Sequence, residues 1–268
     1  MQFLINENET YINENDGLTY CSVCNEPKEV RHPCKLMGEN YVRPRHCACE
    51  REESERYRKE MEERQRISKV LHNRSMCFHE RRMFEWTFEN DDGSVLQMEY
   101  ARTYVENWDK MKEEHIGLML WGDVGTGKTY MASAIANALI DKGKKVKMTD
   151  FAEISNISVF NSMEQVNALV NYDLLIIDDL GSERKSGFST QNVFNVINRR
   201  WESGKPLIVT TNYSPAEIKA FEDEDAMLRK IYDRILEMCT YILVEGTSKR
   251  EESAERKKGI LKSILCVD

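Results

Sequence analysis

The octapeptide Gly122-Asp123-Val124-Gly125-Thr126-Gly127-Lys128-Thr129 constrains this chain more than any other segment. It matches G-x-x-x-x-G-K-[ST] at every fixed position and stands between a short apolar run, Leu118–Trp121, and a stretch of helical periodicity. A strand feeding a glycine-rich turn that opens a helix is the context a phosphate-cradling loop requires. The glycines let backbone N–H groups turn inward, where a Cβ would block the turn or the close approach. Lys128 is expected to reach the β- and γ-phosphates and Thr129 to offer its hydroxyl to Mg²⁺, with the helix N-terminus adding its positive dipole end. An ordinary glycine-rich turn has no reason to satisfy all the fixed positions in this context.

From about residue 83 onward, apolar runs alternate with helical patterns, which predicts an α/β domain on a mainly parallel sheet. Strands are expected at Leu118–Trp121, Val146–Met148, Leu174–Ile177, Leu207–Thr210 and Tyr241–Val244. Helical spacing of Met131, Ala134, Ile135, Ala138 and Leu139 continues from the glycine loop and stops at Gly143. Ser162-Met163-Glu164-Gln165 and Ser214-Pro215-Ala216-Glu217 carry helix-start signals. Helices are also expected around Val193–Trp201, through Leu228–Met238 and from Ser248 to the end.

Asp178-Asp179 closes the Leu174–Ile177 run, about 50 residues after the glycine loop. A carboxylate at that strand end can hold the water shell of Mg²⁺, and its neighbour can act as general base toward an attacking water. Such a pair alone also serves as a loop cap. Asn212 ends the next strand, where it could position water or touch the γ-phosphate, or simply form the turn before Ser214-Pro215.

These residues carry a family resemblance. The run from Gly117 to Leu261 resembles the AAA+ ATPases of the DnaC/DnaI helicase-loader and IstB-like group. It does so through Gly122–Thr129, Leu174–Gly181 (LLIIDDLG), Lys205–Asn212 (KPLIVTTN) and Tyr232-Asp233-Arg234-Ile235. The resemblance implies an AAA+ P-loop fold that binds ATP with Mg²⁺. In it Asp178 would be the Mg²⁺ carboxylate, Asp179 the catalytic acid position and Asn212 sensor 1. Arg234 would be an arginine finger presented to a neighbouring subunit, and Arg250 sensor 2. AAA+ proteins at large carry Glu where this chain has Asp179, which is one methylene shorter and implies slow turnover. Taken without the resemblance, Arg234 among Arg229, Lys230 and Asp233 reads equally as a solvated helix face, and Lys249 competes with Arg250.

The first 50 residues are different in kind: of eight cysteines, Cys21, Cys24, Cys34, Cys47 and Cys49 fall here. Cys21-x-x-Cys24 and Cys47-x-Cys49 are two close pairs of the kind that complete a Cys₄ structural zinc site, and so loop-like a segment would need that staple. Cys34, His32 and His46 are competing ligands. An iron–sulfur cluster is a rival chemistry with different usual spacings, and unliganded thiols are the bland reading. Cys77, Cys239 and Cys266 stand alone. The expected division is a zinc-binding module over 1–50, a charged helical linker over 51–82 and an ATPase domain over 83–268.

No apolar run approaches the ~20 residues of a membrane span, and the N-terminus has no basic, then apolar, leader, so a cytoplasmic protein is expected. A net charge of −8 argues against coating duplex DNA by charge alone. Arg81-Arg82 followed by Phe84, Trp86 and Phe88 has the mix of single-strand binders, although packing of these aromatics on the core is the favoured reading. Positive charge also gathers at Lys249, Arg250, Arg256, Lys257, Lys258 and Lys262. The resemblance implies a hexameric DnaB-type replicative helicase, single-stranded DNA and an ATP-dependent self-assembly as partners. A transposition helper that assembles on DNA is the alternative, and an adaptor with a vestigial site is disfavoured by the intact Lys128, Thr129 and Asp178.

Overall fold

The computed structural model describes the chain except residues 1–9, 37–38, 158–161, 182–186, 221–225, 247–248 and 266–268, and gives backbone alone at 33–36, 39–40, 162, 187–189, 249–254, 263 and 265. Cys266 and Ser248 lie outside the described residues, as do the side chains of Cys34, Ser162, Lys249 and Arg250. Two compact units emerge, Met1–Lys69 and Val70–Asp268.

The first unit holds two antiparallel hairpins that the sequence did not announce, because their strands lack apolar alternation. Strand β1 (Thr10–Ile12) pairs with β2 (Thr19–Cys21), and β3 (Glu29–Leu36) with β4 (Glu39–Pro44). A bridge between Tyr20 and Pro27 closes the turn that follows β2. Helix α1 (Ala48–Cys77) then runs on, studded with surface pairs such as Lys59–Glu55 at 3.2 Å. Such exposed pairs contribute little each, so the helix depends on what its ends pack against. Its last turns belong to the second unit, where Cys77 is buried and Val70 packs on the core.

In the second unit a 3₁₀ turn at Arg81–Glu85 leads to α2 (Met98–Glu106), α3 (Trp108–Glu113) and then β5 (Gly117–Trp121). There follow α4 (Lys128–Asp141), β6 (Val146–Asp150), α5 (Phe151–Ser155), α6 (Ser162–Asn171), β7 (Leu174–Leu180) and α7 (Gly187–Glu202). Strand β8 (Leu207–Thr211), α8 (Pro215–Lys219), α9 (Ala226–Met238), β9 (Cys239–Leu243) and α10 (Lys249–Leu265) complete it. The five strands form one parallel sheet in the order β6-β7-β8-β5-β9. Helices cover both faces of the central strands β5, β7 and β8, which therefore read as continuous apolar runs instead of alternating ones.

The two faces sort by strand parity. Leu118, Leu120, Leu174, Ile176, Val146 and Met148 face α4 through Met131, Ile135 and Leu139. Met119, Leu175, Ile177, Leu207 and Val209 pack with Ile154, Val166, Val193, Ile231 and Ile235 on the other side. Phe88 is buried and Phe84 packs on the first cluster; Arg102 lies 4.9 Å from the Phe88 ring and donates to its carbonyl at 2.7 Å. The basic–aromatic segment is therefore spent largely on the core. Helix α4 stops where Gly143 and Lys144 donate to Ile140 and Leu139 carbonyls, and Ser214 with Glu217 forms a complete capping box.

One core residue gave no sign of itself in the sequence. Arg200 on α7 is fully buried, and its guanidinium donates to the carbonyls of Pro206, Val170, Tyr172 and Asp173 at 2.6–3.1 Å. Burial lowers its pKa to about 10, still well above neutrality, so it remains a cation. All five N–H groups of the fork are used, tying the end of α7 to the entries of β7 and β8. Arg200→Met should lower unfolding stability by about 3–5 kcal/mol, because the carbonyls of Pro206, Tyr172 and Asp173 lose the guanidinium and Val170 keeps only Lys205. Arg200→Lys should recover little of it, since one ammonium cannot fill a planar fork; urea unfolding midpoints check both.

Candidate functional site

The glycine loop leaves the end of β5 in a conformation that two of its glycines enforce. Gly122 has φ +145° and a Cβ there would stand 2.4 Å from the Val244 carbonyl oxygen. Gly127 has φ +98° and a Cβ there would meet Val95 at 2.8 Å. The chain on either side therefore grips the loop too tightly for any side chain. Lys128 is buried and donates to the carbonyls of Gly122 at 2.8 Å and Asp123 at 2.6 Å, holding its charge inside the loop's curve. The Thr126 hydroxyl donates to Asp123 at 3.0 Å, so Asp123–Thr126 closes on itself, with Val124 exposed at its tip.

Asp178 stands at the end of β7 facing this loop. Its Oδ1 accepts the Thr129 hydroxyl at 3.1 Å and the Thr210 hydroxyl at 2.6 Å. Burial pushes its pKa up, the Asp179 and Asp150 charges add to that, and the two hydroxyls pull it back. A partly buried carboxylate among carboxylates and hydroxyls suits a divalent cation, whose charge would reverse the penalty. Thr129 and Asp178 could thus hold Mg²⁺ beside the phosphates that Lys128 and the loop amides could take.

Asp179 is exposed and has φ +53°, a left-handed conformation that Asp tolerates better than most residues. Here the ladder between β7 and β8 is irregular: Ile177 pairs with Val209 and Leu180 with Thr211, so Asp178 and Asp179 together oppose the single residue Thr210. That bulge was not legible as such in the run of apolar residues. Asn212 lies exposed one residue beyond β8, at the same carboxyl edge. Arg234 is brought to none of these groups. It sits on α9 with its guanidinium 4.0 Å from the Trp201 ring centre and 3.1 Å from Glu237. Arg250 falls in the first turn of α10.

In the first unit the sulfurs of Cys21, Cys24, Cys47 and Cys49 all lie within 4.8 Å of one another. Four sulfurs around tetrahedral zinc stand ~3.8 Å apart, so small inward shifts would suffice. Cys21 ends β2, Cys24 sits on the turn that follows, and Cys47 and Cys49 flank the start of α1. The amides of Glu26 and Cys49 hold the Cys24 thiol down to about 6, whereas hydrogen bonding to Cys24 and burial push Cys49 up to about 12. Around them Glu50 accepts from the Cys47 amide at 3.0 Å and pairs with Lys28 at 3.0 Å, the kind of outer layer that orients ligands. His32 and His46 are exposed and fall outside this quartet.

A three-layer α/β domain, a glycine loop between strand β5 and helix α4, and a carboxylate at the end of β7, with β8 inserted between the two strands, define a P-loop nucleotide-binding protein of the AAA+ class. The family model for the IstB-like ATP binding protein matches residues 42–257, and the chain belongs to that family. Among relatives, it is 23% identical over 265 residues to the replicative helicase loader DnaI of Bacillus subtilis (strain 168), covering 92% of this chain and 82% of that one. It is 30% identical over 145 residues to the replicative helicase loader DnaC of Escherichia coli (strain K12), covering 52% and 58% respectively. The crystal structure of DnaI superposes with a TM-score of 0.54 at 21% identity, over 66% of this chain and 98% of that one. The DnaC helicase loader structure gives 0.52 at 24% identity, over 62% and 100%, and both likenesses speak to the fold.

Metal analysis of the purified protein should find about one zinc per chain, lost on substituting Cys21 and Cys24 together with folding of the first unit. Cys34→Ser should leave the zinc in place. A metal-free protein with an equally protease-resistant N-terminal segment would remove the assignment.

Proposed function

We propose that this protein is an ATP-hydrolysing loader of a hexameric, DnaB-type replicative helicase onto single-stranded DNA, acting in an ATP-dependent self-assembly. The observation that carries the reading is the cysteine quartet joined to the ATP-binding unit. The match to the DnaI loader takes in 92% of the chain and so reaches into the cysteine-rich segment, whereas the family model begins at residue 42. A transposition helper is the second reading. It is favoured by the family's own IstB-like character and would need no zinc module.

On this proposal Lys128 neutralises the transferred phosphate, Thr129 and Asp178 hold Mg²⁺, and Asp179 takes the proton of the attacking water. Asn212 orients that water, while Arg234 and Arg250 supply positive charge as ATP is cleaved, the former to a neighbouring subunit. Support for the in-trans role comes from geometry: Arg234 rests on Trp201 and Glu237, while the hydroxyls of Thr129 and Thr210 bond the Asp178 carboxylate of its own chain. The shorter Asp179 fits a slow switch better than a fast motor. Residues 1–50 would grip the helicase, 51–82 would link, and 83–268 would bind ATP and DNA.

Lys128→Ala should abolish ATP binding, and Asp179→Asn should keep binding while turnover falls by about 100-fold or more. Arg234→Ala should bind ATP normally yet fail to hydrolyse it in the assembly, and mixing it with Lys128→Ala should restore activity; equilibrium binding and steady-state hydrolysis measure all of these. For the function itself, residues 1–75 and the intact chain should comigrate with the host's replicative helicase in size-exclusion chromatography without ATP. Binding to a transposase instead would transfer the assignment to the second reading.

A further inference from the structure

The bulge at the end of β7 sets Asp178 and Asp179 against one residue of β8, and that residue is Thr210. Its side chain does what the interrupted ladder cannot. The Asp179 amide donates to the Thr210 Oγ1 at 2.8 Å, and the same hydroxyl donates to Asp178 Oδ1 at 2.6 Å. Both directions follow from chemistry, since an amide nitrogen only donates and a carboxylate only accepts. The hydroxyl is thereby fixed in one rotor, with Thr210 fully buried beneath the site. We propose that Thr210 is the positioning residue of the nucleotide site, fixing the orientation of Asp178 and the backbone of Asp179 through one hydroxyl.

This rests on the proposed ATPase reading and extends it to a residue inside the Lys205–Asn212 motif to which the resemblance gives no role. Asp178 has a second hydroxyl donor in Thr129, at 3.1 Å. In the proposed nucleotide complex the Thr129 oxygen would also face Mg²⁺ through a lone pair, so that donor is shared between the carboxylate and the metal. Thr210 sits on a different strand, contacts both acidic residues, and serves the protein side of the site alone. The left-handed φ of Asp179, +53°, is unfavourable for a residue with a Cβ and persists where surroundings over-determine it. The hydrogen bond from its own amide to Thr210 is a direct restraint of that kind.

The test uses the full chain with Thr210→Val, which keeps shape and β-branching but removes the hydroxyl, and Thr210→Ser, which keeps the hydroxyl. Binding of a fluorescent ATP analogue is titrated with Mg²⁺ and also measured in EDTA, and hydrolysis is followed in single turnover. Thr210→Val should raise the half-saturating Mg²⁺ about tenfold and slow turnover by about 10–100-fold, the range for losing a supporting partner of a metal ligand. Its affinity in EDTA should stay within about twofold of the parent, which also shows that the variant is folded, and Thr210→Ser should restore both losses. Thr210→Val equal to the parent in Mg²⁺ dependence or in turnover overturns the proposal. So does loss of nucleotide binding in EDTA, which would make Thr210 a structural residue. A parent chain that binds no nucleotide at all would instead bring down the ATPase reading on which it stands.

Discussion

The Asp178 carboxylate, held between the hydroxyls of Thr129 and Thr210, joins three pieces of chain that are far apart in sequence: the glycine loop, the end of β7 and the end of β8. Bringing them together requires most of the second unit. All five strands must run parallel so that their carboxyl ends share one edge, and β8 must lie between β7 and β5. Helix α4 must then cross the sheet face that carries Leu174, Ile176 and Ile208 so that its first residues reach β7. Ligands in open α/β sheets sit at such carboxyl edges because helix N-termini and loops converge there. The buried strands β7 and β8 pin that edge and carry Asp178, Asp179 and Thr210 at their ends, facing the glycine loop.

The same carboxylate shows what the fold leaves unfinished. Burial and the charges of Asp179 and Asp150 both oppose ionisation of Asp178. Two hydroxyl hydrogen bonds offset part of that cost, and a bound cation would offset the rest. Lys128 meanwhile donates to the carbonyls of Gly122 and Asp123, so the loop's main positive charge is satisfied inwardly. An anion entering the loop would compete with those carbonyls for the ammonium while bringing its own counter-cation to Asp178. Desolvation and charge at Asp178 are thus a cost that a phosphate–metal pair would reduce.

Much of the second unit was legible because a doubly covered parallel strand leaves a plain record, an unbroken run of Leu, Ile and Val. Leu174–Ile177 and Leu207–Thr210 could be placed for that reason, and the glycine loop because its spacing is set by the phosphates it must surround. What stayed hidden depends on pairs across strands. Asp179 opposite Thr210 exists only once β7 slips by one residue against β8, and an apolar run carries no mark of its register. Arg200 looked like one more surface cation on α7, two residues before Glu202. Its burial follows from four carbonyls that converge from Val170 to Pro206, a coincidence of loop ends and not of sequence. The hairpins of the first unit were hidden for a third reason: β1 and β2 are three residues each, β3 and β4 are interrupted by charged residues and prolines, and a thiol cluster can hold together what packing does not.

Helix α9 connects the site edge to the surface that Arg234 occupies. The Tyr232 hydroxyl is buried against the Thr211 hydroxyl at 2.9 Å and the Leu180 carbonyl at 3.1 Å, the last residues of β8 and β7. Tyr213 meets its ring edge-on, 6.2 Å between centroids. Two residues along, Arg234 emerges onto Trp201 with Glu237 beside it. The backbone of Arg234 is therefore registered against the strands that bear Asp178, Asp179 and Thr210, while its guanidinium is kept at the surface by a ring face and one carboxylate. Neither restraint is strong, as cation–π contacts and half-exposed pairs contribute about 1 kcal/mol each. The in-trans role proposed for Arg234 would be served by that combination, a fixed root and a head that leaves its resting place at small cost. Arg200 is the contrasting case, a structural cation with full burial, every donor used and no surface for a partner to reach, whereas the Arg234 side chain stays 36% exposed.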